Sequence, residues 1–317
     1  MQLSLQILGA SSAIPLSGRN PTSQFLTLAS RQFLIDCGEG CQLQLRRNKV
    51  GFGRIKHILI SHLHGDHFYG LLPLLNTLHL LDRYSELHLY GPPELEQGLK
   101  DMLCLSRASL RYPIVFHALN MKARELIYDD DKVSVHSFPL KHSIACCGFL
   151  FQEKIRPRKI NVDAIKKYGV SKFELNAIKM GADWQQEDGS IVKNEELTSS
   201  GGEPISYAYC TDTLPLPDLK ERLGLSPTLL YHEATFANDQ IQRAKKTKHS
   251  TATQAAQVAI DVEAKHLLLG HFSARYTRFD ALLDEAKTVF KNSYLAQENG
   301  TTQIDAKGKF TQVTPNK

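Results

Sequence analysis

Ser61-His62-Leu63-His64-Gly65-Asp66-His67 is the stretch from which the fold of this chain can be predicted. Residues 55–60 before it are β-branched and apolar, which is typical of a buried strand. Residues 68–75 after it are mostly apolar and predict the start of a helix. The stretch therefore lies at the carboxyl end of a strand, the usual position of a functional site in α/β proteins.

The same stretch contains four side chains that can bind metal ions. Alternate residues of an extended loop point the same way, so His62 and His64 can hold one metal from one side. Asp66 and His67 are offset from them and would face a second metal. Imidazole and carboxylate ligands without thiolates favour zinc, with manganese or iron as alternatives. A single loop histidine would need no metal, but four ligand-type residues in this order predict a metal site.

The order His-x-His-x-Asp-His resembles the signature of the metallo-β-lactamase superfamily. This resemblance implies an α/β fold in which two β-sheets lie between helices, an αββα sandwich, with a dinuclear site at the sheet edge. The superfamily includes lactamases, thioesterase-type glyoxalases, sulfatases and nucleases, so the motif alone does not choose among these activities.

Composition sets broad limits. The chain has 317 residues, with 42% hydrophobic and 22% charged residues, which is ordinary for a globular protein with a large core. Its formal charge of +5 permits a nucleic-acid partner without requiring one. The first residues alternate like a strand rather than a signal peptide, and no run is long enough to span a membrane. Six scattered cysteines favour reduced thiols, so we expect a cytoplasmic protein.

The other segments predict alternating strands and helices. Strands are expected at 3–9, 24–28, 32–36, 85–90, 133–140, 206–213, 228–236 and 265–269. Helices are expected at 41–48, 93–103, 162–168, 253–262 and 280–291. The Gly, Thr, Gln and Pro content of residues 293–317 predicts a loosely structured tail.

Three more candidate ligands follow predicted strands. They are His142, Asp212 and His271. Alone, a histidine such as His142 is more often structural than a ligand. Strand ends lie side by side, however, so these residues can converge with the first stretch on one pocket. We predict one site from His62, His64 and His142, a second from Asp66, His67 and His271, and a bridging role for Asp212. Two metals suit phosphodiester hydrolysis because they stabilise both the attacking and the leaving oxygen.

Residues 153–181 differ in charge from the rest of the chain. Eight basic residues face three acidic ones in this segment. The candidate RNA-binding residues are Lys154, Arg156, Arg158, Lys159, Lys166, Lys167 and Lys172. Apolar periodicity is weak up to Ser200, so we interpret residues 153–200 as an inserted arm outside the core. The alternative is a solvated surface insertion, since most charge runs behave that way.

Further motifs narrow the resemblance. They are Asp36-Cys37-Gly38-Glu39-Gly40, Tyr209-Cys210-Thr211-Asp212-Thr213, His232-Glu233-Ala234-Thr235, His249-Ser250-Thr251-Ala252 and Gly270-His271-Phe272-Ser273-Ala274-Arg275-Tyr276. In this order, over about residues 3–290, the chain resembles the short bacterial form of the ribonuclease Z family.

The resemblance implies a zinc-dependent endoribonuclease that removes the 3′ trailer from precursor tRNA and leaves a 3′-hydroxyl. It implies two zinc ions per subunit, and a homodimer in which the arm of one subunit clamps tRNA bound at the other's active site. We therefore expect a single metallo-β-lactamase-like domain over residues 1–317, with residues 153–200 as a flexible, tRNA-binding arm within it. The family's arm usually carries a Gly-Pro turn, which residues 171–176 lack.

Three residues are candidate catalytic groups. Asp66 lies beside the expected nucleophile and could accept a proton from water. Glu233 and His249 lie outside the ligand set, and a carboxylate bound to imidazole keeps the ring charged. That pair could protonate the leaving oxygen or hold the scissile phosphate; the alternative is a buried structural pair.

Two other functions remain open at this point. A superfamily hydrolase of a small molecule, such as a thioester or a cyclic phosphodiester, would share the metal ligands but would not require the basic arm. An RNA-binding scaffold with a degenerate site would share the arm, but the complete ligand set argues against it.

Overall fold

The computed structural model describes residues 2–314, in which nineteen strands and eleven helices follow one another. The strands are β1 (Leu3–Gly9), β2 (Ser23–Leu28), β3 (Arg31–Ile35), β4 (His57–Leu59), β5 (Leu87–Gly91), β6 (Ile114–Ala118), β7 (Glu125–Asp129), β8 (Val133–Pro139), β9 (Cys147–Glu153), β10 (Lys159–Ile160), β11 (Trp184–Gln185), β12 (Ile191–Val192), β13 (Thr198–Ser199), β14 (Ser206–Cys210), β15 (Leu229–Glu233), β16 (His266–Gly270), β17 (Ser293–Leu295), β18 (Thr301–Ile304) and β19 (Phe310–Val313). The helices are α1 (Cys41–Arg47), α2 (Gly65–Phe68), α3 (Leu71–Leu80), α4 (Glu94–Leu105), α5 (Val162–Tyr168), α6 (Leu175–Lys179), α7 (Asn194–Leu197), α8 (Leu219–Leu223), α9 (Ile241–Thr247), α10 (Ala252–Asp261) and α11 (Asp280–Val289).

Two large sheets contain most of the strands. The first has the order β19-β18-β1-β2-β3-β4-β5-β6, and the second has the order β17-β16-β15-β14-β9-β8-β7. Side chains from both sheets share one hydrophobic core, to which Leu26 of β2 and Phe149 of β9 contribute. A second core lies between the first sheet and the helices α1, α3 and α4. On β4, Leu59 faces the first core and Ile58 the second, which explains why this strand is apolar on both faces.

Parallel strands position the site. The strands β3 to β6 run parallel in the first sheet, and β14 to β17 run parallel in the second. β8 runs in the same direction as β14, because both are antiparallel to β9 between them. The carboxyl ends of β8, β14, β15 and β16 therefore meet at one edge of the second sheet, and the loop after β4 approaches the same edge.

A capped helix fixes the loop that carries His249. The Thr251 side chain accepts a hydrogen bond from the Gln254 N–H, and the Gln254 side chain accepts one from the Thr251 N–H, a capping box at the start of α10. The Ala252 N–H donates to the Phe236 carbonyl at 3.0 Å, which ties this helix start to the loop after β15. The helix expected at 253–262 is present as α10, with both ends shifted by one residue.

The insertion between β9 and β14 has a small hydrophobic core of its own. Val170, Ile178, Val192 and Leu197 are its buried residues, and they come one at a time from short elements. β10 pairs with β13 and closes the base of the insertion. The helix expected at 162–168 is confirmed as α5. The separate core was not predicted, because single apolar residues in short elements leave no periodic pattern.

The expectation of a loose tail over residues 293–317 is wrong for its described part. β17 extends the second sheet beside β16, and β18 pairs with β1. The burial of β18 alternates along the strand, with Thr302 and Ile304 inside. Four-residue strands with Thr and Gln on their outer face resemble a polar tail in sequence, which is why the prediction failed. Residues 315–317, like Met1, lie outside the described part of the chain, so the expected domain 1–317 is described over 2–314.

No helix within residues 2–314 is both long enough and apolar enough to cross a lipid bilayer.

Candidate metal centre

The structure brings all seven predicted ligands together at the shared sheet edge. His62 and His64 lie in the loop after β4, Asp66 and His67 in the short helix α2, and the others just beyond strands of the second sheet. Two groups of donor atoms contain the predicted ligands alone, and a third joins His249 to Asp212 and His271. One consists of His62, His64, His142 and Asp212, and the other of Asp66, His67 and His271, with Asp212 close to both.

Three imidazoles and one carboxylate oxygen surround the first position. His64 Nδ1 lies 3.1 Å from His62 Nε2 and 3.2 Å from His142 Nε2. Asp212 Oδ2 lies 3.7 Å from His62 Nε2 and 3.6 Å from His142 Nε2. Every donor of the group therefore faces one common point.

Two imidazoles and two carboxylates surround the second position. His67 Nε2 and His271 Nε2 are 3.3 Å apart, and Asp66 Oδ2 lies 3.6 and 3.4 Å from them. Asp212 Oδ1 lies 3.4 Å from His67 Nε2 and 3.0 Å from His271 Nε2. Asp212 thus directs one oxygen to each position.

These distances suit bound metal ions. Two ligand atoms on one tetrahedral zinc lie about 3.4 Å apart, because each is about 2.1 Å from the metal. The donor pairs given above span 3.0 to 3.7 Å, close to that separation. The residues present therefore fit two cations that share Asp212.

The other ring nitrogen of four histidines is held by a hydrogen-bond acceptor. The His62 Nδ1–H donates to Ser61 Oγ at 3.0 Å, and the His67 Nδ1–H donates to Asp36 Oδ2 at 2.8 Å. The His142 Nδ1–H donates to the Lys248 carbonyl at 3.0 Å, and the His271 Nδ1–H donates to Thr235 Oγ1 at 3.0 Å. A proton on Nδ1 leaves the lone pair on Nε2, which is the atom that faces the metal positions. This arrangement fixes both the tautomer and the orientation of each ring.

Asp36 organises the loop after β3. Its carboxylate accepts hydrogen bonds from the Ser61 N–H at 2.8 Å, from Ser61 Oγ–H at 2.8 Å and from Tyr209 Oη–H at 2.7 Å, besides the bond from His67. Asp36 itself has a left-handed backbone, with φ of 53°. Lys248 and His271 share this conformation, with φ of 57° and 58°. Such strain costs about 1 kcal/mol or more per residue.

The cluster attracts positive charge. Although burial opposes ionisation, the neighbouring His67 and His271 hold the pKa of Asp66 well below its usual range. Burial also opposes charge on His67, but the carboxylates of Asp66, Asp212 and Asp36 raise its pKa well above the usual value. Within residues 2–314, the ion pairs of these three carboxylates involve histidines alone. Buried carboxylates without a Lys or Arg partner suit metal cations.

Glu233 and His249 form a close pair beside the metal positions. His249 Nδ1–H donates to Glu233 Oε1 at 2.8 Å, and Glu233 is fully buried at the end of β15. Burial disfavours the imidazolium, but the Glu233 carboxylate outweighs it and raises the pKa of His249 to about 9. The His249 ring lies 5.0 Å from the His142 ring and 5.5 Å from the His271 ring. A charged acid therefore borders the predicted metal centre.

A cavity of about 610 Å³ opens onto this cluster. His64, Asp66, Asp212 and His249 line its floor, and Arg243, Arg275 and Tyr69 also line it. The Tyr69 side chain is exposed, and its ring covers Gly65 so closely that a Cβ there would lie 2.2 Å from Cε2. None of these three was predicted as a site residue. Arg275 was quoted only within the motif at 270–276, and exposed Arg and Tyr side chains have no distinguishing pattern.

The chain has relatives of known family along almost its whole length. Ribonuclease Z of Bacteroides thetaiotaomicron is 47% identical over 93% of this chain and 93% of its own. That of Cytophaga hutchinsonii is 41% identical over 96% of this chain and 97% of its own. This chain belongs to the ribonuclease Z family. The family model described as Anti-Pycsar protein Apyc1 also matches residues 3–156.

Solved structures agree with the ribonuclease Z assignment. The crystal structure of human tRNase Z, short form, has a TM-score of 0.69 at 26% identity and covers 95% of this chain and 99% of that one. A metallo-β-lactamase fold protein from Bacillus subtilis, YhfI, has a TM-score of 0.65 at 16% identity over 95% of this chain and 99% of that one. The predicted αββα fold is therefore confirmed.

The candidate RNA-binding residues of this ribonuclease Z chain fall into two sets. Lys159, Lys166, Lys167 and Lys172 are exposed on the insertion. The other three contact the protein itself. Lys154 pairs with Asp129 at 2.8 Å, Arg158 Nε donates to Thr198 Oγ1 at 2.7 Å, and Arg156 Nη1 donates to the Ala306 carbonyl at 3.2 Å. The second set holds the base of the insertion.

Proposed function

We propose that this protein is a zinc-dependent endoribonuclease that removes the 3′ trailer from precursor tRNA and leaves a 3′-hydroxyl. The observation that carries the proposal is the pair of donor groups sharing Asp212, in a chain 47% identical to a ribonuclease Z. A tRNA substrate and six free cysteines are consistent with a cytoplasmic enzyme.

We assign the metal ligands as the sequence predicted them. His62, His64 and His142 would hold one ion, Asp66, His67 and His271 the other, and Asp212 would bridge them. The donor set suits zinc, two ions per subunit, and it also admits manganese or iron. When bound, two such ions activate water and stabilise the charge on the attacking and leaving oxygens of a phosphodiester.

The remaining steps belong to side chains of this chain. Asp66 Oδ2 is held by the Ala13 N–H at 2.7 Å and can accept a proton from the attacking water. As the bond from phosphorus to the ribose O3′ breaks, His249 donates its proton to that oxygen, which becomes the 3′-hydroxyl. Glu233 keeps His249 charged and oriented for this transfer.

Basic side chains account for the size and charge of the substrate. Arg243 and Arg275 line the cavity and would contact phosphates next to the cleavage point. The exposed lysines of the insertion would contact phosphates farther along the tRNA. Phosphate contacts fix position without reading sequence, which suits an enzyme that must accept every tRNA.

We also propose a homodimer that uses the helical layer outside the first sheet. Large apolar side chains are exposed on this layer, at α1, α3, α4 and their ends: Leu43, Leu80, Leu81, Tyr84 and Leu105. We infer that these side chains form one apolar surface, and a large contiguous apolar surface marks an interaction site. In such a dimer the insertion of one subunit would clamp tRNA at the active site of its partner.

Cleavage of a precursor tRNA transcript tests the function. The wild-type protein loaded with zinc should release the trailer at the discriminator base and leave a 3′-hydroxyl, detectable by ligation to an adaptor that requires this end. His64→Ala removes one donor of the first position and should abolish cleavage without unfolding the protein. Hydrolysis of a thioester or a cyclic phosphodiester with the trailer left intact would instead identify a small-molecule hydrolase.

A further inference from the structure

The Thr235 hydroxyl lies between the metal cluster and the Glu233–His249 pair. Thr235 follows β15 by two residues, and only 3% of its surface is exposed. Its Oγ1 is 2.6 Å from Glu233 Oε2 and 3.0 Å from His271 Nδ1. The residue is neither a predicted ligand nor a predicted acid or base, yet it contacts both groups.

The direction of these hydrogen bonds follows from the donors available. A threonine hydroxyl has one proton and two lone pairs. The ionised Glu233 carboxylate can only accept, so Oγ1–H donates to Oε2. Oγ1 then accepts from His271 Nδ1–H. On the other side of Glu233, Oε1 accepts from His249 Nδ1–H at 2.8 Å. One continuous path therefore runs from His271 through Thr235 and Glu233 to His249.

The backbone holds this path in place. The Thr235 N–H also donates to Glu233 Oε2, at 3.1 Å, and the Thr235 carbonyl accepts from the Ser273 N–H at 3.2 Å. The Ala234 N–H donates to the Gly270 carbonyl at 2.8 Å, which joins the ends of β15 and β16. The hydroxyl consequently has a fixed position relative to both His271 and Glu233.

We propose that Thr235 is a positioning residue that sets the metal-binding nitrogen of His271 and the orientation of the Glu233–His249 acid through one hydroxyl. The proposal rests on the proposed function for the role of His249. Loss of the hydroxyl would leave His271 Nδ1–H without its acceptor, and the ring could turn or change tautomer. Glu233 would lose one of two donors to Oε2 and hold His249 less firmly.

Metal retention provides a readout that does not depend on activity. Thr235→Val keeps the shape of the side chain and removes the oxygen, whereas Thr235→Ser keeps the oxygen. Replacing hydrogen-bond partners of metal ligands usually weakens metal affinity by about 10- to 100-fold. Against increasing chelator, Thr235→Val should lose one of its two zinc ions at about 10- to 100-fold lower chelator concentration than wild type. Thr235→Ser should retain both ions nearly as well as wild type.

Thr228→Val is the matched control. Thr228 is also buried, lies just before β15 at the end away from the metal centre, and accepts a hydrogen bond from the Ser206 N–H at 3.1 Å. Its loss should lower the melting temperature without changing zinc retention. Equal loss of zinc in the two valine variants would show that the effect is general destabilisation and would overturn the proposal.

The acid side of the path needs a second measurement. In Thr235→Val, cleavage of an RNA phosphodiester should fall more than hydrolysis of an aryl phosphodiester, whose leaving group needs little protonation. The role of the hydroxyl would be contradicted if Thr235→Val retained zinc as well as wild type does. It would also be contradicted if Thr235→Val and Thr235→Ser lost zinc equally. If the wild-type protein does not cleave precursor tRNA, the proposed function fails, while zinc retention still decides the role of Thr235 toward His271.

Discussion

The proton on His249 depends mainly on the buried Glu233, with smaller contributions from Asp212 and Asp66. We predict that His249→Ala slows cleavage of precursor tRNA by about 10²- to 10⁴-fold, the usual contribution of a general acid. The same variant should hydrolyse an aryl phosphodiester at nearly the wild-type rate, since a phenolate leaves without a proton. Comparing kcat for the two substrates measures the effect, with the aryl substrate as internal control. Equal losses on both would remove the general-acid role.

His57 on β4 provides a pH-dependent contribution to stability far from the metal centre. Burial and the nearby His88 and His117 lower the pKa of His57 from 6.5 to about 4. Because the pKa of His57 is lowered in the folded state, the folded protein binds fewer protons than the unfolded chain between pH 6.5 and pH 4. The contribution of His57 to the free energy of unfolding is therefore full above pH 6.5 and is lost as the pH falls toward 4. The upper limit of this loss is about 3 kcal/mol, and partial exposure of the ring reduces it.

We therefore predict that, as the pH falls from 6.5 to 4, the free energy of unfolding decreases less for His57→Phe than for wild type. The phenyl ring of the variant would pack against Phe33, Tyr90 and Tyr128, which already surround His57. Chemical denaturation across this pH range measures the difference, and the curves of the two proteins should run parallel above pH 7. Parallel curves throughout would mean that His57 does not titrate on unfolding.

Residue patterns predicted the seven converging side chains but not Thr235 and Lys248, which hold two of them. His62, His64, Asp66 and His67 share one motif, and His142, Asp212 and His271 each follow a strand, so spacing and strand ends sufficed. Thr235 acts through a hydroxyl and Lys248 through its backbone carbonyl. Neither role leaves a pattern in sequence, because each depends on which loops the fold brings together.

At the scale of elements, two backbone segments meet without side chains between them. A Cβ on Gly70 would lie 2.1 Å from the Gly38 carbonyl oxygen, and one on Gly38 would lie 2.4 Å from the Asp66 carbonyl oxygen. The loop after β3, which carries Asp36, is therefore pressed against the segment that joins α2 to α3. This contact keeps Asp36 within hydrogen-bond distance of His67.

We predict that Gly70→Ala lowers stability by about 1 to 3 kcal/mol, as overpacking usually does, and weakens zinc retention. Gly98→Ala in α4 is the control, because no atom lies within 4 Å of its added Cβ. That change should stabilise the helix by about 0.5 to 1 kcal/mol and leave zinc unaffected. Thermal unfolding and chelator titration measure the two effects. Wild-type zinc retention in Gly70→Ala would show that the two segments can separate without moving Asp36 or His67.

Element prediction succeeded where patterns were long and failed where strands were short or lay at edges. The strand expected at 3–9 and the helix expected at 280–291 are present as β1 and α11, with ends shifted by two residues at most. β6 and β7, which are edge strands of the two sheets, were not predicted, and β17 to β19 were mistaken for a tail. β9 was missed as well, and neither its length of seven residues nor its central position explains this. Strands at sheet edges bury only one face and carry polar residues on the other, so their hydrophobic signal is weak.

At the scale of the whole molecule, charge is unevenly distributed within the insertion. Its candidate RNA-binding lysines lie in the first part, on β10, α5 and the turn before α6. Residues 182–199 carry five acidic residues and one lysine, Lys193, which pairs with Asp183 at 2.9 Å. The RNA-binding surface is therefore expected on one part of the insertion rather than all over it.

We predict that replacing Lys159, Lys166, Lys167 and Lys172 by Ala weakens binding of precursor tRNA and makes it less salt-dependent. Each lost phosphate contact should reduce the slope of log affinity against log salt by about 0.7 to 0.9. Hydrolysis of an aryl phosphodiester should not change, because the insertion contributes no predicted metal ligand. Binding titrations at several salt concentrations measure the slope.

Lys193→Ala is the control for that experiment, since it removes a lysine that is already paired. A second variant lacks residues 159–199 and joins the flanking ends with Gly-Ser. A short bridge suffices because β10 and β13 are paired, which places the two ends of the insertion side by side. A smaller deletion would divide the core formed by Val170, Ile178, Val192 and Leu197. If the four-lysine variant binds precursor tRNA with the wild-type salt slope, the insertion is a solvated surface feature.

The pairing of β1 with β18 also determines when the first sheet can be completed during synthesis. β1 leaves the ribosome early, and its partner follows about 290 residues later, a delay of roughly 15 to 60 s at ordinary translation speeds. Throughout that interval one edge of β1 presents unpaired N–H and C=O groups, which can recruit strands from other chains. Nascent chains stalled before Thr301 should therefore aggregate or bind chaperones more readily than chains released after β19.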